Sequence, residues 1–223
     1  MHNSLLHDSI AACRRCPRLV GYRERVKPAK RFADWDYWHR PVPGFGDTNA
    51  RLLIVGLAPS AHGGNRTGRI FTGDASGNFL FRALYDAGMS NKQESVSADD
   101  GLVLNDAYVT AVVKCAPPGD RPERIEAHRC VTAFFANELA TLKNVKVIVP
   151  LGAFAFKWLG FALEQVGMDA SGMRNFEHNR LYRVGRYRVL ASYHVSPRNT
   201  NTGKLAYGEF VRLLRKGRKM AQD

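Results

Sequence analysis

Four short apolar runs divide the chain, and a longer segment with helical periodicity follows each of them. The runs are RLLIVGLA, AYVTAVVKC, VKVIVPLG and YRVLASYHVSP, which begin at Arg51, Ala107, Val145 and Tyr187. Each is mainly apolar without strict alternation, a pattern typical of strands that are buried on both faces. We therefore predict four buried strands.

Apolar residues in the segments between the runs recur at helical spacing. In SGNFLFRALYDAGM, Leu80, Ala83, Leu84 and Ala87 share one face, and Gly88 ends the predicted helix. Further helices are predicted in RPERIEAHRCVTAFFANELATL, in AFAFKWLGFALEQV and in the basic closing segment KLAYGEFVRLLRKGRKM. Alternating strands and helices predict an α/β fold, namely a three-layer αβα sandwich around a central four-stranded parallel sheet.

The chain before the first strand lacks this alternation. Residues 1–20 are predicted to form one short helix that carries a C-x-x-C sequence and ends at Pro17. Residues 21–50 include FADWDYWHRPVPGFGD, whose aromatic, Pro and Gly residues predict an irregular segment. Because no repeat or low-complexity linker separates these parts, we expect residues 1–223 to form a single domain.

The chain is strongly basic, with a formal net charge of +13 over 223 residues. Such an excess of positive charge favours a polyanionic partner such as DNA, RNA or an acidic membrane, although it also occurs in basic proteins that bind no polyanion. No apolar run approaches the ~20 residues that span a bilayer, and the N-terminus lacks the features of a signal peptide. We therefore expect an intracellular, monomeric protein without a membrane partner.

The chain has four cysteines, Cys13, Cys16, Cys115 and Cys130, and the first two form C-x-x-C. Disulfides are rare inside cells, so four thiols with one close pair indicate a single metal site with four sulfur ligands. Zinc and a [4Fe–4S] cluster both accept four thiolates, and the spacing does not distinguish them. The alternative is a set of buried free thiols beside a chance C-x-x-C.

Ligands of parallel α/β sheets bind beyond the carboxyl ends of the strands, so the segment after each apolar run is a candidate site. The first is the glycine-rich and basic GLAPSAHGGNRTGRIFTGD, from Gly56 to Asp74. It matches neither phosphate-binding pattern, G-x-x-x-x-G-K-[ST] or G-x-G-x-x-G, so a nucleotide cradle has little support. From the local pattern alone, Asp74 is a candidate helix cap and Phe71 a candidate core residue.

Two other strand ends carry candidate residues. The segment KCAPPGDRP follows the second run and contains Cys115. The segment HVSPRNTNTG follows the fourth, and its His194 lies where an imidazole can donate to developing negative charge. A single histidine is often structural, but the expected position facing a glycine-rich loop favours a functional role.

These segments together resemble the family 5 uracil-DNA glycosylases, the UDGb type, over nearly the whole chain. The loop GLAPSAHGGNRTGRIFTGD is similar to the first motif of that family and HVSPRNTNTG to its last, while ACRRC, VVKCAPP and HRC resemble its iron–sulfur segments. Family 4 enzymes carry an acidic residue where this chain has Leu57 and an asparagine where it has Ala111. Both positions therefore favour family 5.

The resemblance implies an enzyme that cleaves the N-glycosidic bond of uracil in DNA and leaves an abasic site. It also implies activity on other deaminated bases such as hypoxanthine and xanthine, a [4Fe–4S] cluster on the four cysteines, and a cytoplasmic, prokaryotic protein that is nucleoid-associated when bound to DNA. Asp74 would stabilise the sugar cation and orient or deprotonate water. His194 would donate to the base carbonyl.

The resemblance assigns the remaining contacts as well. Phe71 would stack on the extruded base, and Pro197 and Arg198 would fill the gap left in the duplex. The implied substrate-binding residues are Gly56, Leu57, Ala58, Phe71, Ala111 and Asp120. With Pro197 and Arg198, the candidate DNA contacts on the basic strand-end loops are Arg66, Arg69, Ser196 and Asn199.

One position departs from the family pattern and leaves base preference open. The family usually has an asparagine in the loop after the third cysteine, where this chain has Asp120. A carboxylate there would repel an anionic leaving base or accept a proton from it. The competing hypotheses are a non-catalytic nucleic-acid-binding or redox-sensing protein on the same scaffold, and a nucleotide-binding α/β enzyme.

Overall fold

The computed structural model describes residues 2–222 of the chain. Its centre is one sheet of six strands in the order β1-β3-β2-β4-β6-β5. In chain order the strands are β1 (Phe45–Gly46), β2 (Leu52–Gly56), β3 (Ala107–Ala111), β4 (Val147–Pro150), β5 (Leu181–Val184) and β6 (Tyr187–Leu190). The predicted α/β class is confirmed.

The sheet contains two strands more than the four that were predicted. Strand β2 pairs in parallel with β3 and β4, and β4 pairs in parallel with β6. The additional strands β1 and β5 are antiparallel and lie at the two edges. Strand β1 has only two residues, and β5 alternates exposed and buried positions. A search for continuous apolar runs misses both, because an edge strand need not be apolar on both faces.

Both faces of the sheet are covered, since alternate residues of β2 enter two different core clusters. Leu53 and Val55 pack in one cluster with residues of the helix after β4, and Leu52 and Ile54 pack in the other with residues of the closing helix. All four side chains are fully buried. Helices therefore lie on either side of the sheet.

The helices follow the predicted periodic segments and add short turns at the strand ends. They are α1 (His2–Ala11), α2 (Pro17–Arg25), α3 (Gly64–Thr67), α4 (Ala75–Asp86), α5 (Arg124–Cys130), α6 (Ala136–Thr141), α7 (Gly152–Gln165), α8 (Pro197–Thr200) and α9 (Tyr207–Gln222). One π-helical segment, Val131–Phe135, joins α5 to α6. None of the helices described is long and apolar enough to cross a bilayer.

The N-terminal region differs from the prediction of one cysteine-bearing helix over residues 1–20. It contains two helices, α1 and α2, and the C-x-x-C sequence lies in the connection between them. Pro17 begins α2 rather than ending the preceding helix. Proline is well tolerated at the first helical position because the amide hydrogen that it lacks has no partner within the helix there. Cys13 and Cys16 are therefore held by loop backbone.

Candidate active site and cysteine cavity

A cavity of about 500 Å³ lies beyond the carboxyl ends of the parallel strands and gathers most of the predicted site residues. Three segments that follow strands enclose it, as expected for a sheet of this kind. The cavity is lined by Leu57, Ala58, Ser60, Phe71, Asp74, Ser76, Gly119, Asp120, Arg121, His194, Ser196, Pro197 and Arg198. Asp74 and His194, which are far apart in sequence, thus share one cavity.

Asp74 lies between the glycine-rich loop and α4, and its carboxylate has two protein partners. Oδ1 accepts a hydrogen bond from the backbone N–H of Gly77 at 2.8 Å and so caps the helix. Oδ2 accepts a hydrogen bond from the Ser60 hydroxyl. The helix-cap interpretation is therefore confirmed, and the same carboxylate also lines the cavity. The two bonds orient a half-buried acid toward the space that a substrate would fill.

Phe71 forms one wall of the cavity and is 6% exposed. Its backbone has φ 54°, a left-handed conformation that is unfavourable for a bulky residue and that often marks functional sites. The ring packs so closely on Gly56 that a Cβ at Gly56 would lie 2.6 Å from ring carbons of Phe71. Gly56 is thus needed to let the aromatic ring lie against the end of β2.

His194 faces the same cavity from the segment after β6. The Asn199 side-chain amide donates to the His194 backbone carbonyl at 2.8 Å, and the ring centroids of His194 and Phe71 are 6.2 Å apart. Burial lowers the pKa of His194 below its usual 6.5, and the negative charge of Asp74 offsets part of that shift. The imidazole is therefore neutral at neutral pH and can donate one ring N–H.

Asp120 reaches the cavity from the loop after β3, where it also has a left-handed backbone with φ 55°. The residue is exposed, yet the protein atoms around its carboxyl group and the negative charge of Asp74 raise its pKa above 3.8. Two carboxyl groups therefore border one cavity, and the charge of Asp74 disfavours ionisation of Asp120.

Two predicted substrate-binding residues do not line this cavity. Gly56 is buried beneath Phe71, and Ala111 is 2% exposed within the core on the α9 face of the sheet. They are register partners at the ends of β2 and β3. Both residues therefore lie at the carboxyl ends of their strands, outside the lining of the cavity.

The prediction that Arg66 and Arg69 contact DNA phosphates is contradicted by their burial, at 3% and 4% exposure. Arg69 forms a 2.6 Å ion pair with Asp100 and also donates to Ser95 and Thr72. Because these partners lie within the protein, the guanidinium of Arg69 stabilises the loop and does not reach a ligand.

Arg66 is buried in a different way. Its guanidinium carbon lies 3.8 Å from the ring centroid of Phe32 and 4.0 Å from that of Trp35.

The other predicted DNA contacts lie at or near the cavity. Pro197 and Arg198 are exposed there and Ser196 lines it, while the Asn199 side chain bonds to the His194 carbonyl.

The four cysteines line a second, smaller cavity, to which α1–α2, the loop after β3 and the end of α5 contribute. Arg23 Nη1 donates to Cys115 Sγ at 3.2 Å, and the backbone N–H of Lys114 donates to Cys130 Sγ at 3.3 Å. Burial raises the pKa of Cys115 to about 11. Within residues 2–222, no three His, Cys, Asp or Glu side chains are grouped so that they could hold one metal ion.

Comparison with known proteins agrees with this geometry. The family model described as the uracil DNA glycosylase superfamily matches residues 43–216, which include all of the cavity. The chain is 47% identical over 209 residues to a type-5 uracil-DNA glycosylase of Pyrobaculum aerophilum, covering 94% of this chain and 89% of the relative. It is 47% identical over 216 residues to a type-5 uracil-DNA glycosylase of Thermus thermophilus, covering 96% of each. The chain belongs to the type-5 uracil-DNA glycosylases.

Type-4 uracil-DNA glycosylases are more distant. One of them, from Pyrobaculum aerophilum, is 32% identical over 155 residues, or 69% of this chain and 62% of the relative. The lower identity to this type-4 enzyme agrees with Leu57 and Ala111, the two residues that favoured type 5 in the sequence. Leu57 lines the cavity, whereas Ala111 lies below it.

Sequence reasoning missed several side chains of this type-5 cavity. Ser60, Ser76 and Arg121 line it, and Ser60 is a direct partner of Asp74 across fourteen positions in sequence. A serine among glycines in a loop carries no local signal of such a bond. Arg121 was detectable in principle, because it follows Asp120 in a segment already singled out.

Proposed function

We propose that this type-5 glycosylase hydrolyses the N-glycosidic bond of uracil in DNA within the cavity that Asp74 and His194 share. The observation that carries the proposal is their convergence, since one carboxylate and one neutral imidazole line the same 500 Å³ space. A pocket of that volume is within the range of small-molecule sites. Family membership supports uracil-DNA glycosylase activity, and what we add is the assignment of roles.

The base has to leave the duplex before it can enter the cavity. Flipping the base out of the duplex costs a few kcal/mol. Protein contacts to the DNA strand and to the space that the base leaves in the stack must offset this cost. Pro197 and Arg198 are exposed at the start of α8 beside the cavity, where they are suited to fill that gap. Phe71 presents an aromatic wall on which the extruded base can stack, a contact worth ~1–3 kcal/mol.

Bond cleavage places positive charge on the sugar and sends the bonding electrons to the base. The Asp74 carboxylate, oriented by Gly77 N–H and Ser60, stabilises the sugar cation. It also orients the water that attacks the anomeric carbon, and it accepts that water's proton. One carboxylate thereby serves both the electrostatic and the general-base role.

The departing base carries the electron pair and needs a donor. The N–H of neutral His194 hydrogen-bonds the base carbonyl as negative charge grows there. In residues 2–222 no group hydrogen-bonds the His194 ring, so its nitrogens remain available to a substrate. The preference for the neutral form arises from burial, as described above.

We extend the substrate list to other deaminated bases, hypoxanthine and xanthine. The support is the resemblance to the type-5 family, which implies a broad substrate list, and the presence of Asp120 at the cavity. The Asp120 carboxylate, whose pKa is raised above the usual 3.8, can accept a hydrogen bond from an N–H of a base. Such a site tolerates more than one base edge.

We also propose that the cysteine cavity receives a [4Fe–4S] cluster. Four sulfurs line one small cavity, and two of them accept N–H···S bonds, which stabilise cluster thiolates. A zinc ion, which four thiolates bind at about 2.3 Å, is the alternative occupant of the same cavity. The cluster would tie α1–α2 to the loop after β3 and to α5 without taking part in the reaction.

The decisive experiment is a gel assay for abasic sites on a duplex oligonucleotide with one uracil. We expect alkali-labile strands from the uracil duplex and none from a matched thymine duplex, with hypoxanthine and xanthine duplexes cleaved as well. Binding without any abasic product would favour the non-catalytic alternative. Sizing by light scattering tests the accompanying expectation that the chain acts as a single-domain monomer.

A further inference from the structure

Arg66 lies in the glycine-rich loop but faces away from the cavity, between two aromatic side chains. Phe32 and Trp35 belong to residues 29–39, a segment that precedes the sheet. Their rings lie on the guanidinium at 3.8 Å and 4.0 Å. Because planar guanidinium groups stack on aromatic faces, this arrangement fixes the side chain in one plane.

The same guanidinium is bonded to the loop that bears the catalytic acid. Its Nε donates to the His62 carbonyl at 2.7 Å, and its Nη2 donates to the Gly73 carbonyl at 3.2 Å. Gly73 immediately precedes Asp74 and has φ 76°. A Cβ at Gly73 would lie 2.0 Å from Arg66 Nη2, so any other residue there would displace the guanidinium.

Further contacts connect residues 29–39 to this loop. The backbone N–H of Trp38 donates to Arg66 O at 3.0 Å, and that of His39 donates to Asn65 O at 3.2 Å. The Tyr37 hydroxyl lies 3.0 Å from His62 Nδ1. These hydrogen bonds join the two segments.

Burial of the Arg66 cation carries a cost in free energy. Arg66 has no ion pair among the described residues, and its buried Nη1 has no hydrogen-bond partner. Burial consequently lowers its pKa from 12.5. A buried charge without a carboxylate is costly, and an apolar side chain would fill the same space at lower cost.

We propose that Arg66 is a positioning residue for catalysis, which fixes the Gly73 carbonyl and thereby the orientation of the Asp74 carboxylate, with Phe32 and Trp35 holding its guanidinium. The inference rests on the proposed role of Asp74. It replaces a phosphate contact, predicted from the basic character of the loop, with a bond to the loop itself. A 1 Å displacement of a catalytic group is enough to slow a reaction about 100-fold.

The test uses Arg66→Lys, which keeps the charge but loses the planar fork and the ring stacking. We expect the single-turnover rate of uracil release to fall about tenfold or more, while the Kd for uracil-containing duplex changes less than about twofold. The salt dependence of DNA binding should be unchanged, because no phosphate contact is lost. Arg40→Lys is the matched control. Arg40 is exposed and lies 5.5 Å from the Trp38 ring.

Trp35→Ala provides a second route if the Arg66 variant does not fold. Its ring is 37% exposed, so its loss is tolerable for the core. We expect a smaller fall in the same rate, and no additional fall when it is combined with Arg66→Lys, since the two residues act through one contact.

Three results overturn the inference. The first is an unchanged single-turnover rate in Arg66→Lys. The second is a higher Kd for DNA and a smaller salt dependence of binding in the same variant, at an unchanged rate. The third is an unchanged rate in Trp35→Ala. Asp74→Asn separates this failure from failure of the proposed function. If Asp74→Asn abolishes release while both other variants are normal, only the role of Arg66 is wrong.

Discussion

The two cavities share the loop after β3 but are built in opposite ways. Asp120 lines the larger one, which is open enough for a base and bordered by Asp74 and a neutral His194. Cys115, five positions earlier, lines a small cavity among apolar side chains such as Leu19 and Phe134. The first holds polar groups that remain available to a ligand, and the second shelters sulfur from water. Damage to the first should affect rate, and damage to the second should affect stability.

The largest effect is expected for Asp74→Asn. We expect single-turnover uracil release to fall about 10³-fold, because the amide can neither accept the water's proton nor stabilise the sugar cation. Asparagine still caps α4, so the melting temperature should hardly change. Asp74→Ala serves as the comparison, since it removes the cap too and should cost ~1 kcal/mol of stability. Near-normal release by Asp74→Asn would show that the acid is only a cap.

His194→Gln should slow uracil release about 100-fold, the typical loss when one donor to a developing anion is removed. Glutamine keeps a donor but not its placement. DNA affinity should remain near that of the wild-type protein, as measured by fluorescence anisotropy. Equal losses in affinity and rate would instead assign His194 to general substrate binding.

Cys115→Ser is expected to act on the other cavity. We expect loss of bound iron and of visible absorption, and a melting temperature lower by roughly 10 °C, because a structural metal centre contributes folding free energy. Uracil release by the remaining folded protein, measured well below that temperature, should stay within severalfold. Stoichiometric zinc in the wild-type protein, by elemental analysis, would replace the cluster assignment.

A smaller effect is expected for Asp120→Asn. At neutral pH the ionised carboxylate opposes an anionic leaving base, so the amide should raise uracil release about fivefold, as expected from the ~1 kcal/mol typical of exposed charges. The ratio of uracil to hypoxanthine release should change in parallel. An unchanged ratio would mean that this position does not contact the base.

The smallest effect is a pH dependence of stability that originates at His194. The folded protein holds the imidazole neutral, so the unfolded chain binds the proton more readily once the pH falls below 6.5. Stability from this group is thus complete above pH 6.5 and is lost as the pH falls. Urea unfolding at about pH 7.5 and about pH 5.5 should show the difference, and His194→Gln should reduce it.

The sequence predicted the residues that make the active-site cavity better than it predicted their neighbours. Continuous apolar runs located β2, β3, β4 and β6, and the rule that ligands bind at strand ends singled out His194, while the catalytic role of Asp74 was implied by the family resemblance. The edge strands β1 and β5 were not predicted. Strand β1 has only two residues and β5 alternates exposed and buried positions, so neither contains a continuous apolar run. A pattern rule thus finds buried strands and misses half-exposed ones.

The arginines show why the rest could not be predicted. A basic residue in a glycine-rich loop is normally exposed, yet the partners that bury these two lie elsewhere in the chain. Asp100 is 31 positions from Arg69, and the rings of Phe32 and Trp35 come from a segment that was predicted only to be irregular. Contacts of this range depend on the assembled fold, which one sequence does not specify by pattern.

The π-helical segment Val131–Phe135 sets the rotational phase of everything after Cys130. Before it, Cys130 faces the cysteine cavity; after it, Glu138 accepts from buried Lys114 at 2.6 Å. A π-helical turn holds about one residue more than an α-helical turn, so the segment takes up one extra residue while α6 keeps its phase relative to α5. Inserting a further residue there, beside the exposed Thr132, would turn α6 by about 100° about its axis and point Glu138 away from Lys114, so chain length at this point is constrained even where the side chains are not.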